Sequence, residues 1–224
     1  MNNNTIIVFD FETGGLDTNY TEPIEIAAIA LNPMDLNPIP GGRFYSLCKP
    51  TNWDIVGDEA LRINGKTREQ LQTAPEQSVV WAAFMNFIKQ YNPRKGSNIT
   101  APIPGGKNIR GFDLPIFNRL CVQYKFVDAK GVPNVFNRRK VYDLEDFIEM
   151  WFEGSNELPN QKMDTLREYF GINTDNAHEA MTDTVQTAQL IIRFLKLHRN
   201  TFPKVKFKDS CTVLPEELAQ LLKI

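Results

Sequence analysis

Five side chains, spread along a 224-residue chain, have the types and spacing to do chemistry on a charged substrate: Asp10, Glu12, Asp113, His178 and Asp183. The first two lie in Ile6-Ile7-Val8-Phe9-Asp10-Phe11-Glu12-Thr13-Gly14-Gly15. The apolar, mostly β-branched start of that stretch predicts a buried strand. In an extended chain, residues i and i+2 share a face, so the two carboxylates converge. Acids pressed together at the edge of a core repel and are costly to desolvate unless a cation sits between them. A divalent metal ion is the usual cation. Alone, each of the five has a bland reading: solvated acids past a strand end, an N-cap at Asp113, a surface or capping histidine at 178.

These residues must be positioned by the elements around them. Pro23 to Leu31 reads as a second strand, with Glu25 as a polar intruder that either supports the acids from behind or, the reading favoured, faces solvent at a sheet edge. A loop holding Pro33, Pro38, Pro40, Gly41 and Gly42 leads to a third strand, Arg43 to Lys49, making an antiparallel meander. From Asp58 the pattern is helical, with Ala60, Leu61 and Ile63 as one apolar patch before Asn64-Gly65. Pro75 opens a helix to about Tyr91, its apolar face formed by Val79, Ala82, Ala83, Phe84, Phe87 and Ile88. Residues 93–106 read as loop, with a parallel strand expected at Ile99 to Ile103 after the crossover helix.

Pro115 sits in the first turn of a helix continued by Ile116, Phe117, Leu120, Cys121 and Tyr124, which puts Asp113 at the helix start. Arg138 to Leu144 predicts a strand, Glu145 to Phe152 a helix, and Met163 to Phe170 a helix closed by Gly171. The last long helix spans roughly Glu179 to Leu197. Thr182, Gln186, Gln189, Arg193 and Lys196 form its wet stripe. Asp183 falls outside that stripe and needs a partner. His178, about 140° away from Asp183 on a helix, must reach the same site from the loop or first turn.

Composition narrows the function classes. At 42% hydrophobic and 23% charged the chain is globular rather than disordered. A net charge of −2 does not by itself mark a nucleic-acid protein, although two divalent cations would bring it to +2. Cys48, Cys121 and Cys211 match no metal spacing or disulfide framework, which favours a reducing compartment. The polar start, Met1-Asn2-Asn3-Asn4, lacks signal-peptide features, and no apolar run approaches the ~20 residues that span a bilayer. The expectation is a soluble, cytoplasmic protein without membrane contact. Between Asp183 and Asp209 the only charged residues are cationic, Arg193 to Lys208, a run able to track a phosphate backbone. Leu214, Leu218, Leu221 and Leu222 suggest a short amphipathic end helix, and residues 209–224 are a candidate contact for a protein partner.

The order and spacing of the five residues are not covered by separate bland readings. The sequence resembles the DEDDh family of 3′-to-5′ exonucleases, which includes polymerase proofreading subunits, ribonuclease T and oligoribonuclease. Asp10-Phe11-Glu12-Thr13-Gly14-Gly15-Leu16 is similar to the first motif. Asn108 with Phe112-Asp113 and Phe117 is similar to the second, and His178-Glu179-Ala180-Met181-Thr182-Asp183 to the third. Likeness continues through Glu59 to Thr67 and Leu166 to Ile172, covering about residues 5 to 198. Lys107, Asn64 in place of a frequent histidine, the 92–104 loop and the tail depart from the family pattern.

The resemblance implies an α/β, ribonuclease H-like fold: a five-stranded mixed sheet with an antiparallel second strand, flanked by helices. It implies an exonuclease domain at 1–198, then a basic tail and short C-terminal helix at 199–224. Asp10, Glu12, Asp113 and Asp183 would hold two Mg²⁺ or Mn²⁺ ions about 3.5–4 Å apart, Asp10 bridging both. His178 would be the general base. Thr13, Gly14 and Leu16 would line the pocket for the 3′-terminal nucleotide, with Ile63 and Asn64 pressing from the other side and Asn108 among the substrate contacts. The implied partner is a nucleic-acid 3′ end, single-stranded because the terminal nucleotide must be splayed. DNA is favoured and RNA is the alternative. A non-catalytic binding module on the same fold would not need buried carboxylates. A metal-dependent phosphatase, the other rival, predicts Asp at position 12 and a late Asp-Asp pair, and neither is present.

Overall fold

Strand β1 runs Ile6–Thr13 in the computed structural model, which describes residues 4–172 and 180–201. β2 (Pro23–Leu31) lies antiparallel to it, with Val8 opposite Ile29 and Glu12 opposite Glu25. β3 (Pro38–Leu47) continues the meander antiparallel to β2. β4 (Ile103–Gly106) and β5 (Tyr142–Asp143) extend the sheet in parallel on the other side of β1, giving the order β3-β2-β1-β4-β5. Helices α1 (Asp58–Ile63), α2 (Arg68–Gln72) and α3 (Gln77–Lys89) fill the crossover from β3 to β4. α4 (Asp113–Gln123) joins β4 to β5, and α5 (Leu144–Phe152), α6 (Met163–Phe170) and α7 (Ala180–Thr201) follow. This is the mixed five-stranded sheet with flanking helices that the sequence predicts. The described residues up to Ile191 form one compact unit, and those from Ile192 on group separately.

Alternation along β1 divides its side chains between two faces. Ile7, Phe9 and Phe11 point into an aromatic core built with Trp81 and Phe84 of α3, Phe117 of α4, and Phe136. Phe9 stacks on Phe136 at 5.5 Å between ring centroids, and Phe117 meets Phe136 at 4.9 Å. Each such ring contributes about 1.5–3 kcal/mol by burial and ~0.5–1.5 kcal/mol more per ring pair. Ile6, Val8, Asp10 and Glu12 face the other way. There α7 closes over the sheet: a Cβ added at Gly105 would lie 3.3 Å from Val8 Cγ2 and 3.5 Å from Ile191 Cδ1.

Several elements differ from expectation, each for a local reason. On α3 the buried apolar residues are Val80, Trp81, Phe84, Met85, Phe87 and Ile88, while Val79 and Ala83 are exposed. The larger Trp81 and Met85 take the inward positions and rotate the face. β3 begins at Pro38, inside the expected loop, where a register shift against β2 admits the Pro/Gly segment. The parallel strand is Ile103–Gly106 instead of Ile99 to Ile103, and Ile99 is exposed. Its glycines are required by close approach, since a Cβ at Gly106 would sit 2.9 Å from Ile109 Cδ1 and 3.1 Å from the Phe9 carbonyl. β5 is two residues long, not Arg138 to Leu144. Ahead of it, Asn137 Oδ1 accepts from the Arg139 and Lys140 amides at 3.0 and 3.1 Å, making an Asx turn where a strand was expected. Among the described residues, no helix is long and apolar enough to cross a membrane.

Candidate active site

The end of β1 is pinned by backbone bonds. The Gly14 amide donates to the Glu22 carbonyl (3.1 Å), and the Gly57 amide donates to the Gly14 carbonyl (2.9 Å). The Thr13 hydroxyl donates to the Gly15 carbonyl (2.7 Å). Asn64, at the C-terminal end of α1, donates its side-chain amide to the Thr13 carbonyl at 3.0 Å and is buried. The position expected to press on a substrate therefore serves first to anchor the strand end. Ile63 beside it is 55% exposed and Leu16 is 87% exposed, two large apolar side chains presented to solvent near the acids. Ile63 does not join the apolar patch of Leu61.

Asp113 arrives through a tight turn. Asn108, exposed and left-handed at φ 50°, offers its carbonyl to the Gly111 and Phe112 amides at 3.1 and 3.0 Å. α4 then begins at Asp113, with Phe112 in the N-cap position. Asp113 is buried and does not cap its own helix. Its Oδ1 accepts the Phe11 amide of β1 at 3.0 Å. β4 pairs with β1 only as far as Val8, so the side chain of Asp113 takes over where the neighbouring strand has stopped. One carboxylate is thus tied to the strand that carries the other two.

Asp183 lies in the first turns of α7. Its carboxylate receives Arg167 Nη2 at 2.5 Å. The same guanidinium donates from Nε to Gln186 Oε1 at 2.7 Å and from Nη1 to Asp164 Oδ1 at 2.6 Å. Asp183 needed a partner, and Arg167 supplies it. Gln186, expected on the wet stripe, is buried because it completes this bond set.

Glu25 corrects the sequence reading more sharply. It does not face solvent at an edge: β2 is interior to the sheet, and Glu25 is 0% exposed. It sits opposite Glu12, accepts the Tyr45 hydroxyl at 2.6 Å, and has Lys66 Nζ 3.0 Å from Oε2. That lysine is at ion-pair distance but misaligned, so Oε2 has no hydrogen-bond donor among the described residues.

Burial and mutual repulsion govern the inner acids. Desolvation, then the charges of Asp183 and Glu25, push Asp10 up to about 7 against a smaller opposing pull from Lys107. Desolvation, then Asp10, Asp183 and Glu25, push Glu12 up to about 8, with Lys66 opposing. Asp113 is raised by burial and by Asp10, partly offset by the Phe11 amide. These interactions place Asp10, Glu12, Asp113 and Asp183 within one field.

A sequence model described as "Exonuclease", that of the ribonuclease T family, matches residues 7–105. Over those residues, a little under half of the chain, the sequence is similar to that family. DNA polymerase III PolC-type of Bacillus subtilis is 25% identical over 193 residues, covering 86% of this chain and 11% of that protein. The DNA polymerase III subunit epsilon of Aquifex aeolicus is 23% identical over 200 residues, covering 86% of this chain and 81% of its own. Escherichia coli exonuclease I in complex with a dT13 oligonucleotide shares the fold at a TM-score of 0.71 and 19% identity, over 90% of this chain and 43% of that one. The chain spans about a tenth of the polymerase and less than half of exonuclease I. The fold is ribonuclease H-like, as expected.

The exonuclease family hydrolyses phosphodiester bonds of nucleic acids and is typically metal-dependent. The candidate donors fit a hard divalent cation: they are carboxylate oxygens, and at Asp10, Glu12 and Asp113 desolvation first and neighbouring acids second oppose the unpaired charge. Among the described residues, no three Asp, Glu, His or Cys side chains stand at metal-binding spacing. His178, Glu179 and residues 202–224, with the tail and end-helix expectations, lie outside the described residues. Arg167 is the site residue that sequence reasoning missed, and for Glu25 it favoured the solvent-facing reading over the supporting one. A charged residue among the nine of β2, the other eight apolar, was the available signal for Glu25.

Proposed function

We propose that this chain is a 3′-to-5′ exonuclease that removes nucleoside 5′-monophosphates from single-stranded DNA ends, with RNA as the alternative polymer. The observation that carries this reading is the bond by which Asp113 is tied to the strand of Asp10 and Glu12, and the similarity of residues 7–105 to an exonuclease family supports it. Asp10, Glu12, Asp113 and Asp183 are the residues that would hold two divalent ions, Mg²⁺ or Mn²⁺. When bound, such ions supply charge stabilisation at the scissile phosphate and a more acidic water. His178 accepts the proton of the attacking water as the bond to the leaving 3′ oxygen breaks. Thr13 and Gly14 present backbone to the terminal sugar. Leu16 and Ile63 meet the base with apolar area otherwise left in water, while Asn64 and Asn108 border the same pocket. A single strand satisfies this pocket because its last nucleotide is already unstacked, and the oligonucleotide complex of exonuclease I supports that preference. Residues 1–198 form the working domain. The basic tail from 199 follows the strand, 209–224 offers a protein contact, and the cytoplasm is the compartment.

The test is digestion of 5′-end-labelled single-stranded DNA and RNA of one sequence, with Mg²⁺ and with EDTA. Metal-dependent laddering from the 3′ end is expected, abolished by Asp183→Ala and greatly slowed by His178→Ala. The faster polymer names the substrate. Folded protein that digests neither polymer overturns the enzyme reading and leaves a binding module.

A further inference from the structure

Arg167 is among the largest side chains that are wholly buried, at 1% exposure. Taking a guanidinium out of water costs several kcal/mol, and a packed apolar side chain could join α6 to α7 more cheaply. The bond pattern indicates what the charge is for. Of its three acceptors, Asp164 is one turn away on α6 and 79% exposed, so that pair is screened and weak. The other two, Asp183 and Gln186, come from α7 and lie three residues apart, hence on one face of it. A planar fork that bonds both at once fixes the rotation of α7 about its axis and holds Asp183 Oδ1 in place. The charge of Asp183 acts on both Asp10 and Glu12, so the held carboxylate belongs to the same electrostatic neighbourhood as the acids of β1.

We propose that Arg167 is a positioning residue that sets the Asp183 carboxylate for the divalent cation, an inference that rests on the function proposed above. The guanidinium touches neither substrate nor reacting atoms and acts through Asp183. Its geometry matters more than its charge, because added positive charge alone would oppose a cation.

The test is Mn²⁺ titration of the full chain without nucleic acid, followed by calorimetry and by the Mn²⁺ paramagnetic resonance signal. Arg167→Lys keeps the charge and loses the fork, and is expected to bind Mn²⁺ about 10–100-fold more weakly, the usual loss when the partner of a metal ligand is removed. kcat should fall with KM for DNA little changed. Asp164→Asn, which removes only the exposed acceptor, should bind within about fivefold of the unaltered chain. Gln186→Met removes one prong without stranding a charge, and is expected to fall between these two. It decides the question if Arg167→Lys does not fold. A folded Arg167→Lys, or failing that Gln186→Met, with unaltered Mn²⁺ affinity overturns the proposal. If Asp183→Asn also leaves Mn²⁺ affinity unaltered, it is the metal reading that has failed, and the positioning role with it.

Discussion

The two faces of β1 carry opposite physics within eight residues. On one, Phe9 and Phe11 are packed by Trp81, Phe84, Phe117 and Phe136, and every contact stabilises the fold. On the other, Asp10 and Glu12 face Asp113, Asp183 and Glu25, and burial raises their pKa values toward neutrality. The outer two of these acids have cationic partners, Lys66 for Glu25 and Arg167 for Asp183. Asp10 and Glu12 form no ion pair among the described residues. The aromatic face holds the strand rigid, and that rigidity keeps repelling acids together. A strand that was less well packed would relieve the repulsion by moving.

The comparison breaks most decisively at Asp10. Asp10→Asn should lower nuclease activity by about a thousandfold or more, the loss of several kcal/mol of transition-state stabilisation. The same variant should melt higher than the unaltered chain in EDTA at pH 8, because a half-buried, repelled charge is gone. Gel digestion and a thermal melt check the two halves. A variant that lost activity and stability together would make Asp10 structural. On the opposite face, Phe84→Ala should destabilise by ~3–5 kcal/mol in urea, with any activity that survives still metal-dependent.

A pH series sharpens the contrast. Asp10 and Glu12 have folded pKa values of about 7 and about 8, above their ordinary 3.8 and 4.5. Their protonated forms favour the fold, so the contribution is fully present below about pH 4. It is lost as pH rises through 7 and 8. In EDTA the melting temperature should therefore fall between pH 5 and pH 8.5, and Mn²⁺ should raise it most at the upper end. A melt that is flat with pH contradicts the buried-acid picture.

Smaller effects belong to the rim and to the solvent side of α3. Leu16→Ala should leave stability within about 0.5 kcal/mol and raise KM for single-stranded DNA about three- to tenfold, on the order of 1 kcal/mol of apolar contact. Val79→Ser should change neither measurement, since Val79 is on the exposed side of α3.

Much of this was legible in the residues. β2 and α6 have the predicted ends, because Pro23 and Gly171 punctuate them and the runs between are consistent in period. β1 stood out because acids are rare in such a run. Asp113 was located by Pro115, although its bond to Phe11 depends on where β4 stops, which local pattern does not carry. The missed features are tertiary. Glu25 was misread because one strand does not reveal whether it is at an edge. The Lys66–Glu25 and Arg167–Asp183 pairs join residues on different elements, and Gln186 looked wet because nothing local announces a buried guanidinium. β4 was misplaced since its Pro-Gly-Gly content has low strand propensity, and close packing against Phe9 and Ile109 overrides it.

Everything above turns on whether the acidic face of β1 binds divalent cations. Isothermal titration of the full chain with Mn²⁺ at pH 8, without nucleic acid, beside Asp10→Asn, tests that directly. Saturable binding by the unaltered chain, a higher melting temperature with Mn²⁺, and loss of both in Asp10→Asn are the predicted results. Absence of binding by the folded, unaltered chain, or equal binding by Asp10→Asn, would contradict the account.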